Sequence, residues 1–152
     1  MRGYASGMEF TQELTVNVPR PRFIELFDDL ENLKVWQEGL ISFEALTGTP
    51  GQPGSTSRLV YKQGRGTMEM VETVTRRDLP EAFDGVYDAK GVHNVCRNEF
   101  HDLDGTATRW VAHNVFEFTG FMRIVALLFA PMFRKQNLKT MTAFKEFAEA
   151  RA

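Results

Sequence analysis

Apolar and polar residues alternate through the first stretch of the chain. Met8, Phe10, Leu14, Val16 and Val18 fall in one phase and Glu9, Thr11, Glu13, Thr15 and Asn17 in the other, with only Gln12 breaking the apolar phase. A period of two predicts a half-buried strand over residues 8–18. Pro19 and Pro21 end it, and proline is tolerated in a first helical turn. Phe23, Leu26, Phe27 and Leu30 then recur at helical spacing, and Glu31–Gln37 reads as a second short helix carrying Leu33 and Trp36.

From Ile41 the period returns to two. Strands are predicted over Ile41–Thr47, Ser55–Lys62, Thr67–Arg77, Ala82–Asp88, Val92–Asp102 and Thr106–Thr119. The loop Thr47–Gly54 holds three Gly and two Pro. Gly64-Arg65-Gly66 and Asp104-Gly105 are tight turn signals, the second a strong hairpin pair. Beyond Thr119 the period changes again. Phe133, Asn137, Thr140, Met141, Phe144, Phe147 and Ala148 recur at steps of three and four, which puts them on one face of a long helix. An apolar lead-in, Phe121–Phe133, precedes it, interrupted by Arg123 and Pro131.

Seven strands joined by short connections predict an antiparallel sheet, which solvates one face and needs cover on the other. Only the C-terminal helix is long and apolar enough to supply that cover. The fold class is therefore α+β: a curved antiparallel sheet of about seven strands around a long C-terminal helix, with two short helices after the first strand. An elongated cavity between sheet and helix is expected where the facing side chains do not fill the space. A single domain over residues 1–152 is expected, with 1–7 as a flexible N-terminus.

Composition narrows the class. Thirteen Phe among 152 residues imply a bulky or incompletely filled interior. A formal charge of −2 and no Lys/Arg cluster argue against nucleic acid as a partner. The single cysteine, Cys96, rules out an internal disulfide framework. Met1–Gly7 has no apolar core of a secretory signal, so a cytoplasmic protein is expected. Phe121–Phe133 is too short for a bilayer span, which needs about 20 apolar residues, so no stable membrane insertion is expected. That segment is expected to form a lid or cavity wall. Contact with a membrane surface, and pairing with a second chain in a homodimer, stay open for it.

Three segments carry a family resemblance: VNVPRPRFIELFDDLENLKVW (Val16–Trp36), SFEALTGTPGQPGSTSRLVY (Ser42–Tyr61) and FRKQNLKTMTAFKEFAE (Phe133–Glu149). Over about Met8–Ala150 the sequence resembles the START-like, helix-grip superfamily, in the group of polyketide cyclases/dehydrases and lipid transport proteins (SRPBCC). The resemblance implies the helix-grip fold. For function it implies a range, from lipid transfer and hormone binding to aromatase and cyclase chemistry, because a shared fold does not fix chemistry.

The candidate functional residues follow from strand phase. In the phase that turns Cys96, Asn98, Phe100, Trp110, Ala112, Asn114 and Phe116 inward, the three His (His93, His101, His113) point outward, and their spacing is not that of a zinc site. No metal and no cofactor is expected. Cys96 shares its face with no His and reads as a small buried hydrophobe. Asn98 and Asn114 sit among rings, where an unpartnered amide costs about 1–3 kcal/mol, so a side chain, a water or a ligand must satisfy each. Glu72, beside Met68, Met70 and Val74, is the one inward carboxylate and the only candidate general base. Trp36, Phe43, Tyr61, Met68, Met70, Trp110, Phe116, Phe129, Phe133 and Met141 line either a pocket or a packed core. Asn137 and Thr140 put polar groups into the helix face opposite them.

Two function classes stand out. The first is binding of a hydrophobic small molecule, such as a lipid, isoprenoid or aromatic polyketide-like compound. The second is a cyclase/dehydrase-type or hydrolase-type enzyme, with Glu72, Asn98 or Asn114 polarising a bound carbonyl compound. A protein or membrane interaction module using Phe121–Phe133 is a third. The scarcity of inward groups with a tunable pKa favours binding.

Overall fold

A computed structural model describes residues 7–152. The strands are β1 (Gly7–Val16), β2 (Leu40–Thr47), β3 (Thr56–Gln63), β4 (Gly66–Asp78), β5 (Ala82–Ala89), β6 (Val92–Leu103) and β7 (Ala107–Phe118). The helices are α1 (Arg20–Asp28), α2 (Leu33–Trp36) and α3 (Phe121–Glu149), with a 3-10 turn at Leu30–Asn32 leading into α2. Gly7 opens β1; the rest of the expected flexible terminus, residues 1–6, lies outside the described residues.

All seven strands form one antiparallel sheet in the order β1-β7-β6-β5-β4-β3-β2. The chain enters at one edge, crosses to the other through α1 and α2, and then returns strand by strand. This is the helix-grip, START-like architecture. Asp104 and Gly105 both take positive φ, 52° and 72°. Both lie in the three-residue hairpin loop between Leu103 and Ala107, where the Thr106 N–H bonds the Leu103 carbonyl (3.1 Å), and Asp-Gly suits it because both residues tolerate the left-handed conformation.

The concave face meets α1, α2 and the C-terminal half of α3. Phe23, Phe144, Val16 and Val18 are fully buried there. The end of α3 is tied to β1: the Asn17 backbone N–H donates to Glu149 (2.7 Å), and Lys145 donates to the Thr15 carbonyl (2.8 Å). The Arg77 guanidinium fastens α1 to β4 through two bonds to the Asp28 carboxylate, at 2.8 and 2.6 Å.

One expectation changes. The apolar stretch before Phe133 is the first half of the same helix, which runs from Phe121 to Glu149 and bends at Phe129 (φ −125°, ψ 29°). Pro131 has no N–H for the helical ladder and its ring crowds the carbonyl of residue 127, so the bend falls just ahead of it. The start of this helix rests on the β5–β6 turn. A Cβ at Gly91 (φ 75°) would lie 2.8 Å from Met122 Cγ and 3.0 Å from the Thr119 carbonyl, so only glycine lets the helix approach this closely.

Candidate functional site

The concave face has two differently built ends. At one end α1 and α2 plug the curve of the sheet. Phe23, Phe27, Trp36, Phe100, Trp110 and Phe144 meet there in edge-to-face and tilted pairs with centroids about 5–6 Å apart, a favoured geometry for ring pairs. Trp36 (6% exposed), Trp110 (4%) and Met141 (1%) belong to this packed core. They were expected to line a pocket, and the corner made by the two short helices is what fills the space instead. No space for a ligand is left at this end of α3.

The other end carries the polar groups. Register places Ser57 opposite Glu72, Glu72 opposite Tyr87, Tyr87 opposite Asn94, and Asn94 opposite Phe116. One step along, Cys96 is opposite Asn114, and on the β3 side Tyr61 is opposite Met68 and Leu59 opposite Met70. Phe43 is half-buried opposite Leu59 on the edge strand. Phe133 of α3 covers Phe116 and Phe118 with centroids 5.4 and 5.0 Å away. Tyr61, Met68, Met70, Glu72, Tyr87, Asn94, Cys96, Phe116 and Phe133 are all half-buried rather than fully buried.

Electrostatics show how enclosed this end is. The Tyr87 hydroxyl donates to Glu72 Oε2 at 2.8 Å. Burial raises the Glu72 carboxyl above its usual range, with the Tyr87 bond pulling partly back; among the described residues no cation offsets that burial. The Tyr87 phenol is raised by burial and by neighbouring Glu72, and the Tyr61 phenol for the same two reasons. Burial pushes the Cys96 thiol up to about 12, so it stays protonated and is a poor nucleophile. These groups are densely surrounded by protein and yet keep accessible surface. A side chain that is surrounded and still accessible faces unfilled space. This half of the concave face is therefore the less tightly filled one, with Met and aromatic residues, a carboxyl and phenols along it.

The four amide candidates separate. Asn98 is satisfied: its Oδ1 accepts from Trp110 Nε1 (2.8 Å) and its Nδ2 donates to the Phe83 carbonyl (3.1 Å). Asn137 donates to Gln12 Oε1 (2.7 Å), and Gln12 Nε2 donates to the Arg134 carbonyl (2.9 Å). Thus the one residue that broke the apolar phase of β1 and the amide on the helix face are partners that fasten α3 to the sheet. Thr140 turns back to the carbonyl of Gln136 (3.1 Å). Asn114 differs. It is 2% exposed, its Oδ1 accepts from Asn94 Nδ2 (3.1 Å), and its own Nδ2 has no partner.

Phe129 was expected on a cavity wall and is instead 53% exposed at the bend of α3. The three His lie on the outer face, where His93, His101 and His113 pair with Asp88, Glu99 and Glu9. Strand phase alone did not single out Tyr87 and Asn94. The signal for Tyr87 was there: Phe83, Gly85, Tyr87 and Ala89 share a phase on β5. Gly85 leaves the floor low enough for the Tyr87 ring to lie 3.6 Å from where a Cβ would be. Two grooves outside the sheet, one beside Glu38, Leu138 and Lys139 and one beside Pro19, Leu79 and Asp102, contain none of these inward polar groups.

No protein-family model matches the sequence, and no curated protein matches it. Solved structures match closely in shape. The Zhui aromatase/cyclase from a Streptomyces species superposes with a TM-score of 0.77 at 14% identity, over 95% of each chain. The Ara h 8.0201 structure gives 0.76 at 15% identity, over 95% of this chain and 99% of that one. Norcoclaurine synthase from Thalictrum flavum, in complex with dopamine and hydroxybenzaldehyde, gives 0.72 at 12% identity, over 100% of this chain and 95% of that one. All three share the helix-grip fold with this chain.

Proposed function

We propose that this protein binds an apolar small molecule carrying a hydrogen-bond acceptor, in a recess between β3–β7 and α3. The observation that carries the reading is the Asn114 amide. Its N–H group is buried without a partner, and such a group costs about 1–3 kcal/mol until something accepts from it. A ligand carbonyl, ether or phenol oxygen would be a suitable acceptor, reached by a shift of the wall because Asn114 is itself only 2% exposed. On the same half of the concave face, Met68, Met70, Phe116 and Phe133 are half-buried and offer adaptable apolar surface. The fold neighbours lend support at the level of ligand class: one is named an aromatase/cyclase, and another holds dopamine and hydroxybenzaldehyde. Native mass spectrometry of protein purified from its own host tests the reading. A retained apolar ligand supports it; a ligand-free protein that also fails to bind aromatic and acyl probes defeats it.

One observation favours a second reading. Tyr87 and Glu72 form a hydrogen-bonded pair in a place that keeps the carboxyl's pKa raised, which suits proton transfer to or from a bound carbonyl compound. On this reading the protein is a cyclase/dehydrase-type enzyme. Turnover of the retained ligand, abolished in Glu72→Gln with binding kept, would establish it over binding alone.

A further inference from the structure

The first half of α3 is apolar on the wrong side. Phe121 is 74% exposed, Ile124 54%, Leu127 82%, Leu128 67% and Met132 53%. Steps of three and four along residues 121, 124, 128 and 132 put four of them in one stripe, and Leu127 flanks it. The inner side of the same half is also apolar: Ala126 is buried, Met122 lies on Gly91, and Phe133 lies on β7. A helix apolar all round is one that is covered all round, and nothing in this chain's described residues covers the outer stripe.

Charge identifies the cover. Between Phe121 and Lys145 the chain has five Lys and Arg and no Asp or Glu, in a protein of net charge −2. Arg123, Arg134, Lys135 and Lys139 are exposed along the helix, and exposed Lys90 lies beside the turn on which the helix starts. A second copy fits poorly. A two-fold contact lays the stripe on itself and brings these cations against their own copies. Apolar side chains flanked by cations, of which among the described residues only Lys139 is held by an acid (Glu38, 3.2 Å), match an acyl layer beneath anionic head groups. We propose that the outer face of α3 from Phe121 to Met132 docks on an anionic bilayer surface, peripherally. No described helix is long and apolar enough to cross a membrane, which agrees with surface docking. An apolar ligand would then be exchanged with the bilayer beside the recess that Phe133 covers.

The test is co-sedimentation of the purified full chain with vesicles of phosphatidylcholine alone and of phosphatidylcholine with phosphatidylglycerol. The protein is expected to bind the anionic vesicles, to leave the neutral ones largely unbound, and to release as salt rises. Leu127→Glu/Leu128→Glu should lower binding by roughly tenfold or more, since two side chains leave the acyl layer. Lys135→Gln should lower it by roughly fivefold. Both variants should keep the wild-type melting temperature; if the double variant does not fold, Leu127→Gln at the most exposed position carries the same test. The assay needs no ligand in the recess, so Asn114→Ala should partition like the wild type whether or not the ligand reading holds. The proposal is overturned if the anionic vesicles do not bind the wild type, if the Leu variants bind equally well, or if the wild type is a dimer that these variants dissociate.

Discussion

The two ends of the concave face use the same kinds of residue to opposite effect. At the α1–α2 end, Phe23, Phe100, Phe144 and Met141 are at most 1% exposed, and the amide in their midst, Asn98, has every role filled by Trp110 and Phe83, although the Trp36 indole N–H there has no partner. At the other end, Met68, Met70 and Phe116 are half-exposed inside the molecule, and Asn114 keeps an idle donor. Both ends are apolar, and both carry an amide. What differs is closure: two short helices cap one end, while only Phe133 and its neighbours on α3 approach the other. Ring content therefore does not distinguish a core from a pocket. The two amides differ where the rings do not: a fold that needs an amide for its own sake gives it partners.

The largest effect that would test this contrast is in the packed end. Phe144→Ala removes a ring that touches Phe23, Phe27, Trp36 and Trp110. It should cost about 3–5 kcal/mol in urea unfolding, enough to threaten folding altogether. Met70→Ala, on the recess wall, should cost far less because it empties a site already partly open. Equal losses at the two positions would mean that the second end is packed as tightly as the first, and the recess would have to be given up.

Much of this was legible in the sequence. Alternation located all seven strands to within two residues, because one wet and one covered face force a period of two, and Asp104-Gly105 marked its hairpin by the φ values it permits. Two things were not legible. Strand phase and helix period say which face a side chain takes but not how far along the concavity it sits, so Trp36, Trp110 and Met141 could not be separated from Met68 and Met70. That depends on where α1 and α2 land, which is tertiary. Pro131 read as an interruption, but a proline can bend a helix without ending it, and α3 continues through the bend. Gln12 and Asn137 were each visible as misfits in an apolar pattern; that they answer one another required the contact between β1 and α3.

Enlarging a side chain tests the same contrast from the other direction. Met141 is 1% exposed, so Met141→Trp has nowhere to go and should cost about 1–3 kcal/mol through overpacking. Met70→Trp has the recess to grow into. It should leave the unfolding midpoint nearly unchanged and remove probe binding. If Met141→Trp is as well tolerated as Met70→Trp, the packed end is looser than its exposure indicates.

A smaller effect separates the ends by pH. Glu72 has a raised pKa in the folded protein because burial disfavours its charge. A raised folded pKa means that the folded state holds its proton more tightly than the unfolded chain does. Its contribution is then fully present below the ordinary carboxylate range and is lost as pH rises through the raised value. Glu72→Gln should therefore be more stable than the wild type near neutral pH, and the difference should shrink in acid. The amide oxygen can still accept from Tyr87, so the comparison keeps the hydrogen bond. Melting curves of both proteins across mildly acidic to neutral pH decide it; parallel curves would mean that the carboxyl is solvated.

The smallest expected effect bears most directly on function, and it pairs the two amides. Asn98→Ala strands the Trp110 indole N–H and the Phe83 carbonyl in a packed interior. Leaving buried groups unsatisfied costs about 1–3 kcal/mol, so stability should fall while probe affinity stays as it was. Asn114→Ala removes a donor that pairs with nothing in the protein and frees one bond from Asn94, whose Nδ2 also approaches the Val115 carbonyl (3.3 Å). Folding should hardly notice. Affinity for an apolar ligand with a carbonyl or phenol oxygen should drop by about 1 kcal/mol, the net value of one hydrogen bond, while a probe of the same shape without that oxygen should bind both proteins alike. The two substitutions therefore trade places between two measurements. If Asn114→Ala instead destabilises the protein as Asn98→Ala does and leaves both probes bound equally, the Asn114 amide serves the fold and the recess loses its polar anchor.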